Sequence, residues 1–178
     1  RYTSATDLYM EKHMRTTVCL LIPLLGCSGG KTTDDTSTDS GGMSAEDQRA
    51  TDLWSELSGY ESWDQLEEWT GIVASDDGTH GAFVSIWMNN LAAETIAAGG
   101  GTDMPAGAIL VKEGYSDAEG AESKGITVMV KESGWGDDGW FWAKYPADDS
   151  GVAVLAGSVN GCTGCHSSGQ DSVRFASW

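Results

Sequence analysis

Apolar positions along the chain fall into two periods. Leu53, Trp54, Leu57 and Tyr60 recur at helical spacing behind Ser44-Ala45-Glu46-Asp47, which reads as a serine cap and an acidic first turn. Trp63, Leu66 and Trp69 form a second apolar face that suits a short helix, and its aromatic stripe reads as core. The period then changes. Ala82–Met88, Ala108–Lys112, Ile126–Lys131 and Trp140–Tyr145 are short, rich in β-branched or aromatic residues, and bounded by Gly, Asp or Asn, which predicts four strands. Between the first two, Leu91–Ala98 is alanine-rich and stops at Gly99-Gly100-Gly101, a helix with its terminator. Few connections have room for crossover helices. The predicted class is therefore α+β, a mainly antiparallel sheet with a few helices.

The N-terminal quarter follows neither period. Lys12 and Arg15 precede the apolar run Val18–Leu25, which is too short to span a bilayer as a helix and reads as the h-region of a secretory signal. It ends in Leu24-Leu25-Gly26-Cys27, which resembles a bacterial lipobox and makes Cys27 the expected lipidated residue. Translation is expected to begin at Met10 or Met14. Residues 28–44 hold almost nothing apolar and cannot bury enough surface to order themselves. The expected organisation is a signal peptide over 1–26, a polar tether over 27–44, and one folded domain over 45–178. Ser28 after the lipidated cysteine points to an outer-membrane lipoprotein facing the periplasm or the cell surface.

Charge narrows the partners. The net charge is −17, and removal of 1–26, with three basic and two acidic residues, makes it −18. Such a surface repels nucleic acid and anionic lipid headgroups and would attract a basic redox partner, although it also serves solubility alone. Cleavage before Cys27 removes Cys19, so Cys162 and Cys165 are the two thiols left to the folded domain.

Those two thiols stand in Gly161-Cys162-Thr163-Gly164-Cys165-His166, a Cys-x-x-Cys-His motif. Thiols three positions apart reach the two vinyl groups on one side of a porphyrin, and the next residue brings an imidazole under the iron. A thioredoxin-like pair would need a βαβ unit around it, and a zinc site would need four ligands. The reading is one covalently held haem c, with His166 as its iron ligand. The sixth coordination position decides between electron transfer and chemistry on a small molecule. Met88, Met104, Met129 and His80 are its candidates; the methionines at 88 and 129 sit in apolar strands, and His80 lies in a turn, Asp76–Gly81. A haem motif at the C-terminal end of several strands is unlike the small helical cytochromes c.

Asn89-Asn90-Leu91-Ala92, Met104-Pro105-Ala106-Gly107 with Ile109–Glu113, Val128–Lys131, Trp140-Phe141-Trp142, and the terminal motif with Asp171 and Phe175 occur in this order. As an ordered set, from about residue 60 to 175, they resemble the cytochrome P-460 family and its relatives, the sheet-type cytochromes c′-beta. The resemblance implies an antiparallel sheet, often in a homodimer, around a five-coordinate haem. It implies that Lys112, in the Val-Lys-Glu motif, is joined covalently to the porphyrin edge, as in members that oxidise hydroxylamine. The c′-beta relatives lack that bond and bind nitric oxide without turnover. From the residues alone, Lys112 shares a strand face with Leu110 and Ala108, as a snorkelling surface lysine or as a group held in a pocket. Two positions depart from the family: its distal carboxylate falls on Thr127 and its distal arginine on Val84. Glu132, Asp137 or Asp138 are then the loop carboxylates that could act as base.

Overall fold

The computed structural model describes residues 42–99, 101 and 103–176; the expected signal peptide, Cys27 and nearly all of the expected tether lie outside these. Ser44 caps α1 (Ala45–Glu56), its hydroxyl accepting from the Asp47 amide at 3.1 Å. One face of α1 buries Ala50 and Leu53. In place of a short helix around Trp63, the chain makes two single 3-10 turns, Tyr60–Ser62 and Glu67–Trp69. Gly59 at φ 76° breaks the helical path ahead of them.

Six strands follow in an antiparallel meander: β1 (Val73–Ala74), β2 (Phe83–Met88), β3 (Ile109–Tyr115), β4 (Ser123–Lys131), β5 (Trp140–Tyr145) and β6 (Leu155–Gly157). The α+β expectation holds. The four expected strands are present, and β1 and β6 are additional. Helix α2 (Asn90–Ala98) joins β2 to β3. Asn89 staples that crossing: its side-chain oxygen accepts from the amides of Ala92 and Ile109, each at 3.1 Å, and its amide group donates to the Gly107 carbonyl at 2.8 Å.

Period-2 alternation sorts the sheet into two buried faces. Val111, Val128, Val130, Phe141, Ala143 and Tyr145 pack against Ala50, Leu53 and Leu57 of the α1 segment. Leu110, Met129, Trp140 and Trp142 face the other way, toward Ala92, Met104 and Val173. Tyr145 fixes the first layer. Its ring is fully buried and its hydroxyl donates to the Ala50 carbonyl at 2.7 Å. Tyr145→Phe keeps the packing and removes one bond, so it is expected to cost about 1 kcal/mol in a denaturant melt.

Candidate functional site

The second face carries the site. Register aligns Ile86, Lys112, Thr127 and Lys144 in one row across β2 to β5, and Met88, Leu110, Met129 and Trp142 in the next. Opposite these rows lies α3 (Asn160–His166), which ends in the Cys-x-x-Cys-His motif. Between them is a cavity of about 300 Å³. Its lining includes Leu110, Met129, Trp142, Cys162, Cys165 and His166, and also Lys112 and His80. Among the described residues lining it there is no aspartate or glutamate.

A helix explains why the motif works as a unit. Positions three apart lie on one helical face, so the thiols of Cys162 and Cys165 stand one turn apart on the cavity side. Neither is in a disulfide, and burial pushes the Cys162 thiol pKa up. His166, at the helix end, has Nδ1 at 2.8 Å from the Ser172 carbonyl. A carbonyl only accepts, so Nδ1 carries the hydrogen and Nε2 keeps a free lone pair. Such an outer bond fixes the tautomer of a metal-binding imidazole. Burial lowers the His166 pKa, which keeps the ring neutral and able to bind a metal.

The carbonyl of Ser172 is aimed by an unusual turn. Asp171 (φ 42°) and Ser172 (φ 65°) are consecutive left-handed residues, and Asp171 bonds back to the sheet. Its Oδ1 accepts from Lys131 Nζ at 2.6 Å and from Trp140 Nε1 at 3.3 Å, and its Oδ2 accepts from the Met104 amide at 2.7 Å. Trp69 adds a second tie, donating from Nε1 to the Phe175 carbonyl at 3.0 Å.

Lys112 is half-buried in the cavity wall, so the pocket alternative is the one adopted. Desolvation lowers its amine pKa; Asp77 opposes that shift, and Arg174 adds to it. Glu113 points to the opposite face, where it accepts from Tyr60 Oη at 3.1 Å and from Ser123 Oγ at 2.7 Å.

Two expectations need correction. None of the three loop carboxylates considered as base lines the cavity. Glu132 pairs with Arg49 of α1 at 2.8 Å, Asp137 is exposed, and Asp138 caps the amide of Trp140 at 3.2 Å. His80 is more than a turn residue. Its ring lies in the cavity 6.3 Å from that of His166, centre to centre, and burial pushes its pKa down to about 4. Of the methionines considered for the sixth position, Met129 lines the cavity, while Met88 and Met104 are buried in the core beside it. Val84 is buried in β2 outside the lining.

An apolar slot walled by a sheet and by a helix bearing two thiols and an imidazole has the donor set that a haem protein needs. The chain matches the family described as Cytochrome P460 over residues 57–173, and it belongs to that family. No curated protein matches it. Family membership implies a haem cofactor. The residues present fit one. The free thiols, the Nε2 lone pair of His166 and the apolar row of Leu110, Met129 and Trp142 could hold a porphyrin. In addition, Trp142 Nε1 is buried without a hydrogen-bond partner among the described residues, a donor suited to a polar group of a bound cofactor.

Proposed function

We propose that the chain is a mono-haem c-type cytochrome that oxidises hydroxylamine or a related small nitrogen species. One observation carries this reading: Lys112, the lysine of the Val-Lys-Glu motif, lines the same cavity as Cys162, Cys165 and His166. In this reading Cys162 and Cys165 hold the porphyrin by thioether bonds, and His166 Nε2 binds the iron. The haem, when bound, supplies a redox-active metal that takes a small nitrogen ligand and passes electrons on to a partner protein. Ser172 keeps His166 in the metal-binding tautomer. Leu110, Met129 and Trp142 exclude water from one side of the slot. Lys112 presents an amine that burial makes easier to deprotonate, the candidate for a bond to the porphyrin edge.

A cavity lining without a carboxylate favours a second reading, a c′-beta-like module that captures nitric oxide without turnover. Anaerobic assay of the purified haem protein with hydroxylamine and a dye acceptor separates the two. Turnover with release of nitrogen oxides is expected. Tight nitric oxide binding with no dye reduction would favour the module. Export and lipid attachment at Cys27 complete the proposal, with a membrane-anchored, periplasmic or surface-facing domain that is free to form a homodimer. Cys27→Ala is expected to release the protein from the membrane fraction, and continued membrane association would rule the anchor out.

A further inference from the structure

His80 is among the cavity residues left without a role by that chemistry. The His80 and His166 rings stand 6.3 Å apart, centre to centre, with their planes at 83°. Imidazole nitrogens bind first-row metals at about 2 Å, and each lies about 1.2 Å from its ring centre, so two imidazoles on opposite sides of one ion have centres about 6.4 Å apart. The observed separation meets that requirement.

The hydrogen bonds around His80 supply a tautomer that fits it. Thr127 Oγ1 lies 3.1 Å from His80 Nδ1 and 3.3 Å from the Lys112 carbonyl. A hydroxyl has one hydrogen, and the carbonyl can only accept it. With that hydrogen on the carbonyl, Thr127 Oγ1 accepts from His80 Nδ1, and the His80 lone pair is left on Nε2. This is the tautomer that Ser172 imposes on His166. Both histidines of the site thus have Nδ1 tied to the protein and Nε2 free.

The turn that carries His80 is itself built into the fold. Asp77 Oδ1 accepts from the Thr79 amide at 3.0 Å, and the Gly81 amide reaches the Gly78 carbonyl at 3.1 Å. A Cβ at Gly114 of β3 would lie 1.7 Å from the His80 carbonyl oxygen, so only glycine lets the turn sit this close to the sheet. Arg174 ties the turn to the haem-side segment, meeting Asp77 at 3.2 Å and the Cys165 sulfur at 3.0 Å.

We propose that His80, oriented by Thr127, is the resting sixth ligand of the haem iron, and that small nitrogen species reach the metal by displacing it. The inference rests on haem attachment at Cys162, Cys165 and His166, and it replaces the five-coordinate resting iron that the family resemblance implies. One nitrogen lone pair leaves the metal as another enters. No electron is transferred and no covalent bond of the protein breaks.

Absorption and electron paramagnetic resonance spectra of the purified ferric protein test this. The wild type is expected to be six-coordinate and low-spin. His80→Ala is expected to lose that signal, become high-spin, and regain the low-spin spectrum when free imidazole is added. Should His80→Ala fail to accumulate, His80→Gln carries the same expectation with less change of volume. Thr127→Val is expected to keep its haem and lose part of the low-spin fraction, an effect that a merely structural threonine would not produce. Nitric oxide binding to the ferrous wild type is expected to saturate in rate as its concentration rises, and to become faster and concentration-dependent in His80→Ala. A high-spin wild type, or a low-spin signal unchanged by His80→Ala, overturns the ligand assignment. A wild type that never binds nitric oxide overturns the displacement. The pyridine haemochrome spectrum keeps the underlying reading separate: a chain without covalent haem overturns attachment itself, and His80 with it.

Discussion

Asp171→Ala is expected to lower the unfolding free energy by about 3–5 kcal/mol, because it strands a largely buried lysine. The Lys131 and Asp171 side chains are only 17% and 9% exposed, and their ion pair is 2.6 Å long. Intact, such a pair adds little net stability; what costs free energy is removing one partner and leaving the other dry. Lys131 keeps a bond to the Asp138 carbonyl at 2.9 Å and its place over the Trp140 ring, which pulls the estimate toward the lower end. Two further losses push it back. The Met104 amide and the Trp140 indole lose their acceptor. Alanine must also adopt the left-handed backbone at φ 42°, which aspartate tolerates better.

The consequence reaches the metal site. Ser172, whose carbonyl holds His166 Nδ1, is the next residue, and its own left-handed φ of 65° is held by what Asp171 anchors. Asp171→Ala should therefore weaken the iron ligation proposed for His166 as well as the fold. Asp171→Asn separates the causes: it retains the shape, one acceptor oxygen and the backbone tolerance, and removes the charge together with the second acceptor. It is expected to recover about 1–2 kcal/mol of the loss. Denaturant melts of the two variants measure the difference. A loss under about 1 kcal/mol for Asp171→Ala would mean that the pair is hydrated and that the anchor lies elsewhere.

Which of these features can be read from the chain depends on how local their causes are. β5 was legible to the residue because Trp140–Tyr145 is aromatic, dense and bounded by glycine and proline. Alternation alone assigned Lys112 and Glu113 to opposite faces, and their bonds agree. β6 and β1 escaped because three and two residues carry no period. Helix α3 was hidden by Gly161 and Gly164, poor helix formers within seven residues. Asp76-Asp77-Gly78 announces a turn, but where His80 lands is decided by Gly114, some thirty residues away in β3. The pairing of Thr127 with Lys112 depends on the β3–β4 register, which shifts at Glu113/Tyr115 and leaves no local signal. The three bonds of Asp171 are likewise long-range.

Lys112→Arg is expected to abolish the proposed covalent link between this chain and the porphyrin edge while leaving the fold and the two proposed thioethers in place. Joining Nζ to an edge carbon replaces one N–H and one C–H by an N–C bond. Two protons and two electrons leave, so a two-electron acceptor of the peroxide or dioxygen class must be present. The amine attacks only when neutral. Desolvation by the sheet face lowers the Lys112 pKa, and Glu113, which could have held it charged, is committed to Tyr60 and Ser123 across the sheet. Arginine fills similar space but stays protonated, so it removes the nucleophile without opening a cavity. A porphyrin so bonded is distorted, which shifts its electronics and is a lever on reactivity. Hydroxylamine turnover is therefore expected to fall at least about tenfold in Lys112→Arg, equivalent to about 1.4 kcal/mol of barrier. Mass spectrometry of haem peptides from the wild type reads the bond directly, as a Lys112 peptide carried with the Cys162–Cys165 haem peptide. If that peptide is free of haem in the fully loaded protein, the cross-link is wrong. Lys112 is then a cavity-wall cation, and nitric oxide capture becomes the better account of a slot without a carboxylate.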